Sequence, residues 1–301
     1  MAWLDPLIAP FQYPFMQRGL VAAVLVGVVC AVIGAYVVLR GIAFLGDALA
    51  HSILPGIAAG FLTAGRGDRR ALFWWALGTG IAVAIGIGWI AQRTRVREDA
   101  AIGIVFAGMF ALGIAMISTV RGFAVDLVHF LFGNILGVTA WDLWVIAALG
   151  GLVLLIVLAF YKELLVVSFD PTLASTLRLP TSFYQYLLLV LVAIAVVTSL
   201  RTVGVGLMLA MLVTPASTGY LLTRRLPAMM AVGAAVGALS GVTGLYLSYY
   251  TGISSGAAIV LVAVAFFLAA ALFAPRRGIL RRRRTRIADR QGTTADRRGP
   301  A

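Results

Sequence analysis

The chain contains two histidines, and each has an aspartate within one helical turn. His51 follows Asp47 by four residues in GDALAHSILPG, and His129 follows Asp126 by three in DLVHFLFGN. Those spacings put both side chains of a pair on one helix face, with Cβ atoms about 5–6 Å apart. A carboxylate oxygen and an imidazole nitrogen so placed can share one divalent cation. Two ligands are half a site, because zinc takes about four and manganese or iron more. Two copies of the chain meeting on a two-fold axis would double Asp47 and His51 into two carboxylates and two imidazoles. That set suits Mn, Fe or Zn, and without a thiolate it disfavours copper(I). It also leaves a site able to release its metal. The competing reading makes Asp47 and His51 a helix-interior pair held for packing, and makes Asp126 and His129 inexpensive residues at a membrane interface.

Other chemistries leave weaker traces. Gly252-Ile253-Ser254-Ser255-Gly256 fits G-x-S-x-G, but the nucleophile elbow needs a strand before it and a helix after. A hydrophobic helix precedes it here, so Ser254 or Ser255 is expected to cap the last helix. Gly46-Asp47 resembles half of an intramembrane aspartyl protease signature, with Phe44 where that signature needs glycine. HExxH is absent. So is the P-loop, since the only lysine, Lys162, follows Tyr161. An ATPase driving this protein would be another polypeptide.

The elements that position these residues must lie in lipid. Of 301 residues, 62% are hydrophobic and 12% charged, against about 45–50% and about 25% in soluble domains. Mean hydropathy is +1.02. This excludes a soluble enzyme, a disordered chain and a disulfide scaffold, and Cys30 stands alone. No cleavable signal peptide is evident, because the first residues lack a basic stretch and hold Pro6, Pro10 and Pro14. Nine hydrophobic segments are expected: 16–39, 41–63, 71–91, 100–119, 141–160, 183–200, 203–222, 228–249 and 254–274. The stretch 122–138 is less apolar and reads as a short or re-entrant piece. The expected fold is all-α, a polytopic membrane protein of eight to nine spans.

Charge orients it. The net charge is +13, and eight of 24 Lys+Arg lie between Arg281 and Arg298. A basic tail after the last apolar segment is a positive-inside signal that also touches anionic lipid; nucleic acid is not the expected partner. Placing that tail in the cytoplasm puts Arg40, Lys162, Arg178, Arg224 and Arg225 inside and Arg18, Arg70 and Arg201 outside. Gly233, Gly237 and Gly241 repeat every four residues, a spacing for close helix packing in lipid. Pro55 and Pro215 fall inside apolar segments, where a freed carbonyl must be covered or line a cavity. Between Lys162 and Thr181, Asp170 can N-cap a helix with Pro171 at its first position, Leu173 and Leu177 on one face and Pro180 stopping it. That segment is a docking loop for an ATPase or an interfacial helix.

Taken together, the sequence resembles the membrane permease subunit of zinc/manganese/iron ABC importers. The resemblance rests on VVLRGIAFLGDALAHSILPGIA, REDAAIGIVFAG, DLVHFLFGNILGVT, YKELLVVSFDP, TVGVGLMLAMLVTPAST and SGAAIVL with FAPRRG, in that order over most of residues 14–277. It implies the helical fold of the cobalamin-type importers, a homodimer, an ATPase subunit on each half that binds the ATP, and an extracytoplasmic solute-binding protein. It further implies no permanent cofactor, with Mn, Zn or Fe passing Asp47 and His51, and an ATPase-coupling region at Ser168, Phe169, Asp170 and Pro171. The first dozen residues and the basic tail lie outside the resemblance, and the expected organisation is an N-terminal segment 1–13, a permease domain 14–275 with coupling loop 162–181, and a basic, disordered cytoplasmic tail 276–301 in a plasma-membrane protein. The rival readings are a permease for cobalamin or a siderophore, and an intramembrane hydrolase using Ser254 or Asp47.

Overall fold

A computed structural model of the chain describes residues 9–64, 68–94, 96–118 and 135–274. Asp126, His129 and the basic tail lie outside the described residues. Among the described residues every regular element is helical. Eight helical runs among those residues are long and apolar enough to cross a membrane.

Helix α1 (Pro14–Arg40) is the central post. At about 1.5 Å per residue its 27 residues span about 40 Å, and Cys30, Ile33, Tyr36 and Val37 along it are fully buried. The segment expected at 41–63 is two helices, α2 (Phe44–Ser52) and α3 (Leu54–Ala64), broken at Ile53. Pro55 therefore stands in the first turn of α3, where its missing N–H costs no hydrogen bond. Next come α4 (Arg69–Arg93), N-capped by Asp68, and α5 (Glu98–Ser118). The run expected at 141–160 is α6 (Ala140–Val145), a π-helical turn at Ile146–Gly150, and α7 (Gly151–Ala159). Thr139 and Asp142 cap α6 reciprocally.

Short helices α8 (Tyr161–Phe169) and α9 (Pro171–Thr176) lead into α10 (Thr181–Leu222), then α11 (Leu226–Thr251) and α12 (Ser255–Phe273). The 42-residue run of α10 is two helices joined at Gly204, whose φ of 78° and ψ of 170° are not helical. Only glycine adopts that conformation without strain. The chain reverses there. Ser199 reaches Cys30 across 3.3 Å, and the Leu212 carbonyl packs directly on Gly34. Positions 30 and 34 are about 6 Å apart along α1, whereas a straight helix would separate 199 from 212 by about 20 Å. Counting both halves of α10 gives nine crossings among the described residues. Pro215 does not break its helix; the break lies at Gly204 instead.

The glycine face of α11 packs on α1. A Cβ built at Gly237 would lie 2.6 Å from the Gly27 carbonyl oxygen, and one at Gly241 would lie 2.9 Å from Ala23 Cβ. Such backbone contact is how helices associate where lipid offers no hydrophobic drive.

Candidate functional site

Asp47 and His51 lie on α2, the second in its last turn before the break at Ile53. Leu45, Ala48, Leu49 and Ser52 form the buried face of that helix. The chemistry-bearing pair is on the other face and is partly open, His51 at 29% and Asp47 at 32% of side-chain surface. His51 Nε2 stands 3.6 Å from Asp47 Oδ1. That is too long for a hydrogen bond. Two ligand atoms each ~2.1 Å from one cation, at a tetrahedral angle, are ~3.4 Å apart, so the observed gap is close to the spacing of two ligands.

Helix α5 walls the pair. Phe110 meets the His51 ring edge-on at 5.8 Å, and Phe106 lies 6.2 Å from it. Phe44, one helical face with Asp47 and His51, meets Phe106 at 5.8 Å. The position of α5 is fixed at both ends of this contact. Below, Arg40 Nη2 donates to both Glu98 oxygens at 3.1 and 2.9 Å. Above, Gly113 lets α5 approach the Ile53 break so closely that a Cβ there would sit 2.6 Å from Leu54 Cβ. One turn beyond His51, Pro55, Gly56, Trp75, Thr79 and Met109 line an apolar concavity of about 590 Å³. It does not include Asp47 or His51.

Among the described residues no three His, Cys, Asp or Glu side chains converge. Asp47 and His51 come within ligand spacing of each other, and no third such side chain joins them among the described residues.

The loop 162–181 is built largely as its sequence implies. Asp170 Oδ1 accepts from the Thr172 and Leu173 amides at 3.0 and 2.9 Å, with Pro171 opening α9. The helix ends at Thr176, earlier than a stop at Pro180 would place it, because Arg178 takes a left-handed φ of 55°. Phe169, Leu173 and Leu177 are exposed, at 60%, 48% and 57%. The Ser168 hydroxyl is buried and has no hydrogen-bond partner among the described residues. Ser254 occupies the N-cap of α12 without making a side-chain cap bond, and Ser255 begins the helix. Helix α11 precedes it, so no strand–turn–helix elbow exists there.

Sequence reasoning missed a buried ion pair. Arg201 Nε lies 2.9 Å from Asp142 Oδ1, with 13% and 10% of the side chains exposed. The guanidinium also stacks 4.5 Å above Trp141 and 5.6 Å above Phe73. The available signal was Thr139-x-x-Asp142 before an apolar run, a helix-start pattern.

The family model described as the ABC 3 transport family matches residues 12–274. The chain is 45% identical over 271 residues to the manganese transport system membrane protein MntC of Halalkalibacterium halodurans, covering 90% of this chain and 91% of the other. It is 38% identical over 264 residues to the chelated iron transport system membrane protein YfeD of Yersinia pestis, covering 88% and 87%. Among solved structures it resembles PsaBC from Streptococcus pneumoniae, determined in complex with a Fab. The TM-score is 0.79 at 36% identity, over 93% of this chain and 99% of that one.

Proposed function

This chain belongs to the ABC 3 transport family, and from that premise we propose that it is the permease subunit of an ATP-driven importer of a bare divalent metal ion, manganese first and iron second. The observation that carries the proposal is the pair Asp47 and His51, 3.6 Å apart and partly open on an otherwise apolar helix. Ionisable groups at membrane depth are costly and face partners or water-filled paths. The names of the relatives favour manganese and then iron, while the donor set itself would also accept zinc.

Two copies of the chain bring two such pairs together and complete the coordination. The metal is cargo, and no cofactor stays bound. A cytoplasmic ABC ATPase docks on the surface of Phe169, Leu173 and Leu177, with Ser168, Asp170 and Pro171 shaping the loop beneath. ATP binding and hydrolysis in that partner rock the two permease halves, and the paired site opens to each side in turn. An extracytoplasmic solute-binding protein delivers the ion. The protein lies in the plasma membrane as one permease domain, 14–275, with its basic tail, 276–301, in the cytoplasm beside anionic lipid. Asp126 and His129, whose spacing in sequence also suits one cation, are a second candidate donor pair. Imidazole binds a cation only when neutral, so acid weakens the site.

Metal content measured by mass spectrometry tests this. A strain lacking the gene in metal-poor medium loses one metal; the wild-type gene restores it, and His51→Ala at equal expression does not. Normal uptake by His51→Ala or Asp47→Ala would falsify the assignment. The name of the Yersinia relative favours a second reading, a chelate permease; uptake of chelated iron but not of the free ion would select it.

A further inference from the structure

The surroundings of His51 are unusual for a metal ligand. Its Nδ1 is closed off from solvent and has no hydrogen-bond partner among the described residues. Its ring packs instead on two phenyl rings, Phe110 edge-on at 82° and Phe106 at 58°. Those rings are stacked on each other at 5.7 Å, one turn apart on α5. Nε2 is the nitrogen turned towards Asp47.

An imidazole that offers the Nε2 lone pair to a cation carries its proton on Nδ1. Metal-bound histidines almost always donate that second N–H to a carboxylate, a carbonyl or a water, and losing the partner costs about 10–100-fold in affinity. An aromatic face is a much weaker acceptor than an oxygen. Among the described residues, the His51 environment thus supplies aromatic packing without the hydrogen bond that would tighten binding. Transport needs such a site, since an ion must bind well enough to enter and weakly enough to leave.

We propose that Phe106 and Phe110 are positioning residues that hold His51 with Nε2 towards the path and, by denying Nδ1 an oxygen acceptor, keep the metal site weak enough to empty in each cycle. This rests on the reading of Asp47 and His51 as the metal path. The placement of the two rings is set by the Arg40–Glu98 pair at one end of α5 and by Gly113 against Leu54 at the other. Both anchors leave Phe106 and Phe110 free to be substituted.

The test compares Phe106→Leu and Phe110→Leu, which keep apolar bulk, with Phe106→Gln and Phe110→Gln, which bring a side-chain carbonyl beside the imidazole. Manganese binding to the purified chain in nanodiscs is read by equilibrium dialysis, and maximal uptake in cells at equal surface expression. At least one glutamine variant should bind manganese about tenfold or more tightly and transport it more slowly. The leucine variants should bind within about threefold of wild type. Glutamine variants that fold and bind no more tightly than their leucine counterparts overturn the proposal, as does tighter binding without slower uptake. Nitrogen NMR of the histidine-labelled wild-type chain, assigned by His51→Ala and loaded with zinc as a diamagnetic probe, needs no folded variant at position 106 or 110. A proton on Nδ1 of metal-bound His51 supports the proposal, and a proton on Nε2 overturns it. If His51→Ala binds manganese as wild type does, the metal-path reading itself falls, and this inference with it.

Discussion

Replacing Arg201 should damage this protein more than replacing any exposed arginine, and the structure sets the size of the effect. The guanidinium sits 2.9 Å from Asp142 Oδ1, largely buried, against the rings of Trp141 and Phe73. Arg201→Met keeps the side-chain stem and removes the charge. Breaking a buried pair by deleting one partner costs about 3–5 kcal/mol, because the other charge is left uncompensated. The low end applies here, since Asp142 Oδ2 still accepts from Thr139 N at 3.0 Å and Thr139 Oγ1 at 2.6 Å. At roughly 2–4 °C per kcal/mol for a chain approaching this size, a loss of about 3 kcal/mol lowers Tm by about 6–12 °C. Thermal unfolding of the purified protein in detergent measures it. The double variant Asp142→Leu/Arg201→Met removes both charges and should recover much of the loss, so the two single effects will not add. A Tm for Arg201→Met within about 2 °C of wild type, or strictly additive effects in the double variant, would refute the reasoning.

Three further outcomes are expected. Gly237→Val places carbon where only 2.6 Å separates Cβ from the Gly27 carbonyl oxygen, and should cost about 1–3 kcal/mol by forcing α1 and α11 apart; Gly78→Ala, with open space around it, should leave Tm unchanged. Gly204→Ala forces a side chain into a conformation only glycine holds easily and should cost about 1–3 kcal/mol, seen as lower folded yield on size-exclusion chromatography. Leu173→Asp with Leu177→Asp alters an exposed face, so the permease should fold with normal Tm but fail to retain its ATPase on purification and fail to take up metal; retention of the ATPase would move the docking surface elsewhere.

Much of this architecture is legible in the sequence because lipid enforces it. A spanning helix must be apolar along its length, so span positions follow from composition, and the rare Asp47 and His51 stand out against that background. Their i,i+4 spacing is enough to place them on one face. The glycine repeat of α11 is equally readable, since close approach admits only small side chains. What composition does not encode is local backbone shape. The break falls at Ile53, and Pro55 merely opens the helix after it. Pro215 looks like a break and lies within a continuous helix, whereas Gly204 looks ordinary among 33 glycines and carries the reversal. Pairing between distant elements is also hidden: Arg40 with Glu98, Arg201 with Asp142, and His51 with Phe106 and Phe110 each depend on how helices pack. Asp126 and His129 lie outside the described residues.

The reversal at Gly204 also bears on how the protein is made. Read as one straight helix, Thr181–Leu222 would be about 63 Å long, roughly twice the thickness of the hydrocarbon core. The insertion machinery must instead commit this run as a hairpin, with Arg201 near its tip. The count of crossings changes from odd to even on that one decision. Helices α11 and α12, and the basic residues at Arg224 and Arg225, would emerge on the opposite face if the hairpin failed to form. Topogenesis of the C-terminal third of the protein is thus delegated to the backbone conformation of a single residue.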